Sequence, residues 1–390
     1  MSDYKKHLTK ADFDNAKNVN IVDYCTKAGI QIQQTGPDSF QGVEHDSLKI
    51  TPSKNAWYWF SQQKGGYGAT SFVKDFVNGG NINTAEAAKI VLGQDIEPGK
   101  EYKAAAAEPF KFDKSQLSPK FDKARDYMIN VRKLSPQVVD GFHKSGLLQQ
   151  DKYGNAIFIW RVPGHADDPQ AIVGASKQGT TINHAKYGKR GTLKRVEKNS
   201  FSGWGLVFDI SKDKTKAPDK LVFCESCIDA MSYYENAIRH GQNLQGTRIV
   251  SMEGLKPKVV GYLAQATSNQ LEKEQKGRTL QSIKLAVDQD DAGSNFIKKV
   301  QEMQKHPEDF NLDTIAKQGL QYAPPVVGAQ PDKSLGVKDW NELVQKEAAE
   351  RERGRGRENK QVRSKGIEGK DQDLDLLARR REVARRGMER

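Results

Sequence analysis

The stretches LVFCESCIDAMS (residues 221–232) and KLAVDQDDAGSNF (residues 284–296) decide the fold of this chain. Each opens with a short apolar run, passes through acidic residues and continues into a segment with helical spacing. A third apolar run, RIVSM (residues 248–252), lies between them and is followed by another helical pattern. Strands that alternate with helices form a parallel sheet covered by helices, so this region predicts an α/β fold.

The predicted elements of this region alternate along the chain. The predicted strands are three clear apolar runs and a less regular fourth, namely Leu221–Cys224, Arg248–Met252, Ile283–Val287 and Leu320–Ala323. The predicted helices are Ile228–Arg239, Lys258–Gln265, Ala292–Met303 and Lys338–Lys346. Ligands of such a sheet bind beyond the carboxyl ends of the strands. The side chains that follow each strand are therefore the first candidates for a functional site.

Acidic side chains stand at two of these strand ends. Glu225 directly follows the first strand, and Asp288 and Asp290 directly follow the third. Because the strands are expected to run parallel, these carboxylates should converge at one edge of the sheet. Clustered carboxylates repel each other, and a hard divalent cation relieves that repulsion. The sequence therefore predicts a centre for Mg²⁺, or for Mn²⁺, that acts in phosphoryl transfer.

Changes in composition divide the chain into further regions. Two stretches mix short strands with helices, one lacks periodicity and contains prolines, and the C-terminal stretch is charged and rich in Gly and Arg. We therefore predict an α+β domain at residues 1–95, a linker at 96–118, an α+β region at 119–220, the sheet domain at 221–346 and a basic, largely disordered tail at 347–390. Within the tail, LDLLARRREVARR is predicted as a short helix.

Charge and composition favour an intracellular protein that binds a polyanion. The net charge is +12, and residues 351–390 carry 14 Lys and Arg against 8 Asp and Glu. Half of the excess charge thus lies in the tail, which is typical of polyanion contact or of a solubilising extension. An apolar run long enough to span a membrane is missing, as is the apolar core of a signal peptide, which predicts a cytoplasmic protein with no membrane partner.

The quoted stretches resemble the motifs of the Toprim family, which occurs in bacterial primases, topoisomerases and some nucleases. In the first motif a glutamate ends a strand and an aspartate follows four residues later, here Glu225 and Asp229. The second motif is DxD, here Asp288 and Asp290, with Gln289 where primases usually have glycine. The stretch VKDWNELVQ resembles a third element that would place Asp339 near the metal. The resemblance implies that Glu225, Asp288 and Asp290 are catalytic and that all five acids, with Asp229 and Asp339, bind the metal.

The upstream sequence resembles the primase region that precedes the Toprim domain, and more closely the Toprim proteins of plasmids and mobile elements. The stretches that carry this likeness are AIFIWRVPG, AIVGASKQG, KRGTLKRV and GWGLVFDI. Residues 44–73 (EHDSLKITPSKNAWYWFSQQKGGYGATSFV) have the spacing of a primase zinc ribbon. The zinc ligands are missing, since His45 stands alone and no Cys pair is present there. We therefore expect a zinc-ribbon-like domain without zinc.

The resemblance implies a primase-like enzyme that joins ribonucleotides on single-stranded DNA in plasmid or mobile-element replication or transfer. A basic cluster would hold the nucleic-acid backbone, although a solvated loop is an equal alternative; it consists of Lys189, Arg190, Lys194 and Arg195. Two other functions stay open. One is a Toprim nuclease, and the other is a non-catalytic DNA-binding accessory of a relaxase or helicase.

Several motifs also have a purely structural interpretation. Glu225 and the DxD aspartates could be strand-end acids that cap the following helices. Cys224 and Cys227 match a CxxC pattern, but without a second pair they are expected to be buried, inert thiols. The alternation of Trp57, Tyr58 and Trp59 predicts that both tryptophans pack in a core.

Overall fold

The structure of the protein is a computed structural model that describes residues 8–45, 47–99, 102, 108–165, 168–187, 191–213, 215–274, 277–310 and 312–354. The predictions for Lys189 and Arg190, and those for the tail beyond residue 354, lie outside the described residues. The α/β fold class predicted from the sequence is confirmed, with three sheets and a set of covering helices.

The N-terminal region consists of a five-stranded antiparallel meander packed against helices. The strands are β1 (Ile32–Gly36), β2 (Ser39–Gly42), β3 (Leu48–Thr51), β4 (Ala56–Trp59) and β5 (Lys64–Tyr67), paired in chain order. The helices are α1 (Lys10–Asn18), α2 (Ile21–Lys27), α3 (Gly68–Phe72) and α4 (Thr84–Leu92). Trp57 is buried and Trp59 packs against the same core, as predicted, while Tyr58 is 42% exposed.

The middle region contains a second antiparallel sheet of four strands in chain order. The strands are β6 (Leu148–Gln150), β7 (Ala156–Arg161), β8 (Ile172–Gln178) and β9 (Lys194–Val196). The helices are α5 (Asp122–Asp126), which continues as a π-helical turn, α6 (Pro136–Lys144) and α7 (His184–Tyr187). One face of this sheet packs against Phe110, Phe112 and Leu117. The second half of the predicted linker is therefore packed against the sheet.

The third sheet has the order β10-β12-β11-β13-β14. Its strands are β10 (Val207–Ile210), β11 (Lys220–Cys224), β12 (Thr247–Ser251), β13 (Ser282–Ala286) and β14 (Val326–Gly328). β10 is antiparallel to β12, and the other pairs are parallel. The covering helices are α8 (Cys227–Arg239), α9 (Pro257–Glu274), α10 (Asp291–Lys305), α11 (Thr314–Gln321) and α12 (residues 340–354).

One predicted strand is wrong. Leu320 lies in α11, and the fourth parallel strand is β14, which begins at Val326. Ala316 and Leu320 are buried, and α11 packs tightly on α9. Gly261 of α9 and Gly319 of α11 allow this contact, because a Cβ at either position would overlap the backbone of the other helix. The close packing of α11 on α9 thus outweighs the strand-like apolar pattern of residues 320–323.

The middle region and the third sheet share one hydrophobic core. The buried core includes Met128 and Phe142 from the middle region together with Phe223, Leu285 and Val300 from around the third sheet. The two sheets are therefore packed as one body, and this packing positions the site described below. None of the helices among the described residues is both long and apolar enough to span a membrane.

Candidate functional site

A cavity of about 240 Å³ lies at the carboxyl ends of the parallel strands, between the third sheet and the sheet of the middle region. Cys224 at the end of β11 is in register with Ser251 of β12 and Ala286 of β13. The residues that directly follow these three strands therefore lie side by side at the same edge of the sheet. The acidic residues that line the cavity are Glu225, Asp229, Glu253, Asp288 and Asp339.

Asp288 lies in an environment that disfavours the charged form of its carboxyl group. The residue is 9% exposed, and its Oδ1 atom is buried without a hydrogen-bond partner among the described residues. Burial, together with the charges of Glu225 and Asp339, raises the pKa of Asp288 to about 7. Gly293 makes this position possible, since a Cβ there would overlap the Asp288 carbonyl group. An orphaned carboxylate oxygen of this kind is suited to a cation.

Asp290 is held differently, although it belongs to the same DxD motif. Its Oδ1 accepts a hydrogen bond of 2.8 Å from the Gly293 amide and so caps α10. Its Oδ2 lies 3.2 Å from the Lys338 ammonium, which also lies 3.5 Å from Asp288 Oδ2. Burial raises the pKa of Asp290, but the Gly293 amide and Lys338 outweigh this and lower it. Asp290 does not line the cavity, so the capping interpretation applies to this residue.

Asp229 lies in the first turn of α8 and is 7% exposed. Its Oδ2 accepts a hydrogen bond of 2.5 Å from Ser226 Oγ, which is also the N-cap of α8. Burial raises the pKa of Asp229 to about 7, with Asp339 as the next cause. These two aspartates therefore lie close enough to repel each other.

Asp339 comes from the stretch VKDWNELVQ, which two hydrogen bonds hold at the sheet edge. The Gln289 amide donates to the Lys338 carbonyl at 2.6 Å, and Trp340 Nε1 donates to the Ala286 carbonyl at 3.1 Å. Asp339 Oδ1 accepts from the Glu342 amide at 2.7 Å at the start of α12. The structure thus brings this stretch to the DxD loop, where the sequence predicted it.

Glu225 lines the cavity directly after the end of β11. Burial raises the pKa of its carboxyl above the ordinary range; Lys194 opposes this shift, while Asp229 and Asp290 add to it. The Gly254 amide donates to the Glu225 carbonyl at 2.8 Å. The backbone of Glu225 is therefore fixed by the loop that follows β12.

Glu253 is a cavity residue that the sequence analysis missed. Its Oε1 accepts hydrogen bonds from the Cys227 amide at 3.1 Å, from Cys227 Sγ at 2.8 Å and from Ser251 Oγ at 2.9 Å. Its φ of +52° is unfavourable for a residue with a side chain. The available signal was its place directly beyond the strand RIVSM. Cys224 and Cys227 are buried, as predicted.

The opposite wall of the cavity is cationic. It is formed by Arg132, Lys177 of β8 and Lys194 of β9. Lys177 is 8% exposed, with its ammonium 3.5 Å from both Asp151 Oδ2 and Glu197 Oε1. Arg195, also predicted to bind nucleic acid, instead pairs with Glu197 at 2.9 Å and does not line the cavity. Arg132 and Lys177 were not predicted.

The acidic wall suits a hard divalent cation. All of its potential metal ligands are carboxylate oxygens, the type that such an ion prefers. One of them, Asp288 Oδ1, is buried without a hydrogen-bond partner among the described residues. The pKa values of Glu225, Asp229 and Asp288 are raised. Glu225, Asp229, Asp288 and Asp339 fit such an ion, whereas Asp290 is already neutralised by Lys338. Another group of side chains whose ligand atoms all lie within 4.8 Å of one another is exposed and lies outside the cavity; it consists of His306, Glu308 and Asp309.

Two family models and one relative match this chain. Residues 222–319 match the family model described as Toprim-like, and residues 126–208 match a family described as a protein of unknown function, DUF3991. The chain is 32% identical over 368 residues to the uncharacterized Bacillus anthracis protein pXO2-78, covering 93% of this chain and 97% of that protein.

Solved primase structures show a more distant likeness. The primase fragment of the bacteriophage T7 primase-helicase has 12% identity and a TM-score of 0.34, with 77% of this chain and 90% of that chain covered. The Aquifex aeolicus primase, with its zinc-binding and RNA polymerase domains, has 13% identity and a TM-score of 0.31, with 88% and 84% covered.

The match over residues 222–319 confirms the Toprim resemblance that Glu225, Asp229 and the DxD motif predicted. The identity to pXO2-78 extends over nearly the whole length of both proteins. This chain therefore belongs to the same family as the Bacillus anthracis protein pXO2-78 and contains a Toprim-like domain.

Proposed function

We propose that the protein is a primase-like nucleotidyltransferase that joins ribonucleotides into short primers on single-stranded DNA, in the cytoplasm, during plasmid or mobile-element replication or transfer. The observation that carries the proposal is the pairing of two walls in one cavity. In a space of about 240 Å³, the three cations Arg132, Lys177 and Lys194 line the same cavity as the acids Glu225, Asp229, Asp288 and Asp339. A nucleotide polyphosphate with a divalent metal has the matching distribution of charge.

The acidic wall would hold Mg²⁺ or Mn²⁺ through Asp288, Glu225, Asp229 and Asp339. When bound, the ion would stabilise negative charge on the reacting phosphate. The site is pre-organised for the ion, because Asp288 Oδ1 has no hydrogen-bond partner in the described part of the chain and Ser226 orients Asp229. Asp290 would act indirectly by holding Lys338 and the start of α10 in place.

The cationic wall would bind the phosphates of the incoming ribonucleotide. Lys177 is pre-oriented by Asp151 and Glu197, so little side-chain freedom is lost on binding. Lys194 lies near Glu225 and Asp229, since it lowers the pKa of both. It would therefore contact the phosphate nearest the metal.

The proposed reaction is an in-line displacement at phosphorus. The 3′-hydroxyl oxygen of the growing primer attacks the α-phosphorus, a new P–O bond forms, and the bond to pyrophosphate breaks. Glu225 would either accept the hydroxyl proton or ligate the metal. Its buried position supports both roles.

The template would be held by phosphate contacts outside the cavity. The single-stranded DNA would be contacted by the basic tail and by Lys189, Arg190 and Arg195. Lys194, which lines the cavity, would extend these contacts into the site. A helicase or a relaxase is the partner that would supply such a strand.

The test is incubation of the full chain with single-stranded DNA, labelled ribonucleotides and Mg²⁺ or Mn²⁺. We expect short labelled oligomers from the wild type and none from Asp288→Asn. Glu308→Gln with Asp309→Asn is the matched control, because it removes acids from the exposed cluster only, and it should keep full activity. Shortened DNA without labelled oligomers would instead establish the nuclease, and the absence of either product would favour the DNA-binding accessory.

A further inference from the structure

A second and larger cavity of about 630 Å³ lies at β10, the antiparallel edge strand of the third sheet. It is a groove between β10, α6 and α8, away from the acids of the candidate site. Apolar side chains form its floor, among them Phe142, Phe208 and Tyr234, whose rings contact one another edge to face. Ile238 at its border is 44% exposed.

The groove runs beside an open sheet edge. Among the described residues, β10 pairs only with β12, and it ends the strand order. An edge strand presents unpaired amide and carbonyl groups that can accept a further strand. An apolar groove beside such an edge suits an extended segment whose alternate side chains are apolar.

The rim of the groove is cationic. Arg161, Lys212 and Lys216 line it. The Nε atom of Arg161 is buried without a hydrogen-bond partner among the described residues. Asp209 is engaged by Arg248 at 2.7 Å, and Asp213 lies 3.7 Å from Lys216. The rim therefore favours an occupant that carries negative charge.

The chain's own C-terminal part contains a segment with this pattern. Residues 371–376 read DQDLDL, in which aspartates alternate with Gln372, Leu374 and Leu376. A period of two places the leucines on one side of a strand and the aspartates on the other. The proposed strand would include the first three residues of LDLLARRREVARR, the stretch predicted above as a short helix, and that helix would then begin only after Leu376. The segment is acidic in a tail that is otherwise strongly basic, so it is distinct from the part that suits a polyanion.

The described chain ends close to the groove. Glu352 of α12 lies 3.3 Å from Lys133, which shortly precedes α6. Gln137 and Val138 at the start of α6 line the groove. Sixteen residues, 355–370, separate α12 from the acidic segment. A linker of that length spans about 20 Å on average and up to about 55 Å when extended.

We propose that residues 371–376 add to β10 as a further strand of the sheet, with Leu374 and Leu376 in the apolar groove and the aspartates at the cationic rim. The occupant is thus a segment of the same chain. It covers an edge that would otherwise be open to pairing between molecules. The proposal does not depend on the enzymatic function proposed above.

The test uses full-length protein and a fluorescein-labelled peptide of residues 368–379 (EGKDQDLDLLAR). In the wild type the attached tail competes at high effective concentration, so the peptide should bind weakly. In Leu374→Ser/Leu376→Ser the tail is disabled, and the peptide should bind at least about tenfold more tightly by fluorescence anisotropy. Hydrogen exchange at residues 207–210 should be slow in the wild type and faster in this variant.

Charge and shape controls use the same disabled-tail background. Lys212→Glu/Lys216→Glu should weaken the peptide about tenfold, and a peptide with lysines at 371, 373 and 375 should restore binding to that variant. Ile238→Glu should abolish binding. A peptide of the same composition that lacks the alternation should not bind.

The proposal is overturned if the peptide does not bind the disabled-tail variant while residues 207–210 exchange at the same rate in both proteins. It is also overturned if protection of these residues appears only at concentrations where the protein dimerises, since the occupant would then be a second copy. Loss of primer synthesis in any of these variants has no bearing on either outcome.

Discussion

Lys338 Nζ lies 3.2 Å from Asp290 Oδ2, so the second acid of the DxD motif is neutralised from within the chain. The same ammonium is 3.5 Å from Asp288 Oδ2. Because this fixed positive charge opposes a divalent cation nearby, Lys338→Met should tighten Mg²⁺ binding by about three- to tenfold. Isothermal titration calorimetry measures the change. Lys333→Met changes a nearby exposed lysine and should leave the Mg²⁺ affinity unchanged. An unchanged or weaker Mg²⁺ affinity in Lys338→Met would contradict the prediction.

The raised pKa of Asp288 predicts how stability depends on pH. Its pKa is about 7 in the folded protein against an ordinary value of 3.8. Between these values the folded state holds more protons than the unfolded state, so the stability of the metal-free protein should fall as pH rises through this window. Asp288→Asn should remove this loss and be more stable than the wild type at pH 8 by on the order of 1 to 3 kcal/mol.

Thermal unfolding without metal at pH 5 and at pH 8 tests this expectation. The variant and the wild type should be similar at pH 5 and differ at pH 8. Added Mg²⁺ should raise the melting temperature of the wild type and leave Asp288→Asn almost unchanged. Asp291→Asn, on the exposed start of α10, is the control, and equal pH profiles for wild type and Asp288→Asn would refute the prediction.

Glu253 joins the loop after β12 to the start of α8, so its removal should cost stability. Glu253→Ala leaves the buried Cys227 amide without its acceptor and should destabilise the protein by about 1 to 3 kcal/mol. Glu253→Gln keeps an Oε1 acceptor and should cost less. Urea denaturation measures both. Glu272→Ala, an exposed site on α9, should be nearly neutral, and a similar effect in all three variants would show that Glu253 has no special role.

Gly293 should not tolerate a side chain, because a Cβ would overlap the Asp288 carbonyl. Gly293→Ala should therefore shift Asp288, lower the stability by about 1 to 3 kcal/mol and weaken Mg²⁺ binding. Gly141→Ala in α6 is the matched control, since a Cβ there meets no atom within 4 Å. It should be neutral or stabilising by up to about 1 kcal/mol. Normal Mg²⁺ affinity in Gly293→Ala would show that Asp288 does not need its observed position.

Local pattern predicted the strands β11, β12 and β13 and most of their helices because apolar runs and helical periodicity are encoded by neighbouring residues. It failed at residues 320–323, where LQYA resembles a strand. The outcome there depended on Gly261, a residue distant in sequence, which lets α11 approach α9. Packing of this kind has no local signature.

The sequence alone determined the class of the fold and the positions of Glu225, Asp288 and Asp290 beyond their strands, since parallel strands bring their carboxyl ends to one edge. Only the tertiary structure decided how each of these acids is engaged. It directed Asp290 to Lys338 and the start of α10, left Asp288 Oδ1 buried with no hydrogen-bond partner among the residues that the structure describes, and brought Lys177 and Lys194 of another sheet to the same cavity. The reason is physical, since the charge state of an acid depends on burial and on neighbours that the chain supplies from far away in sequence.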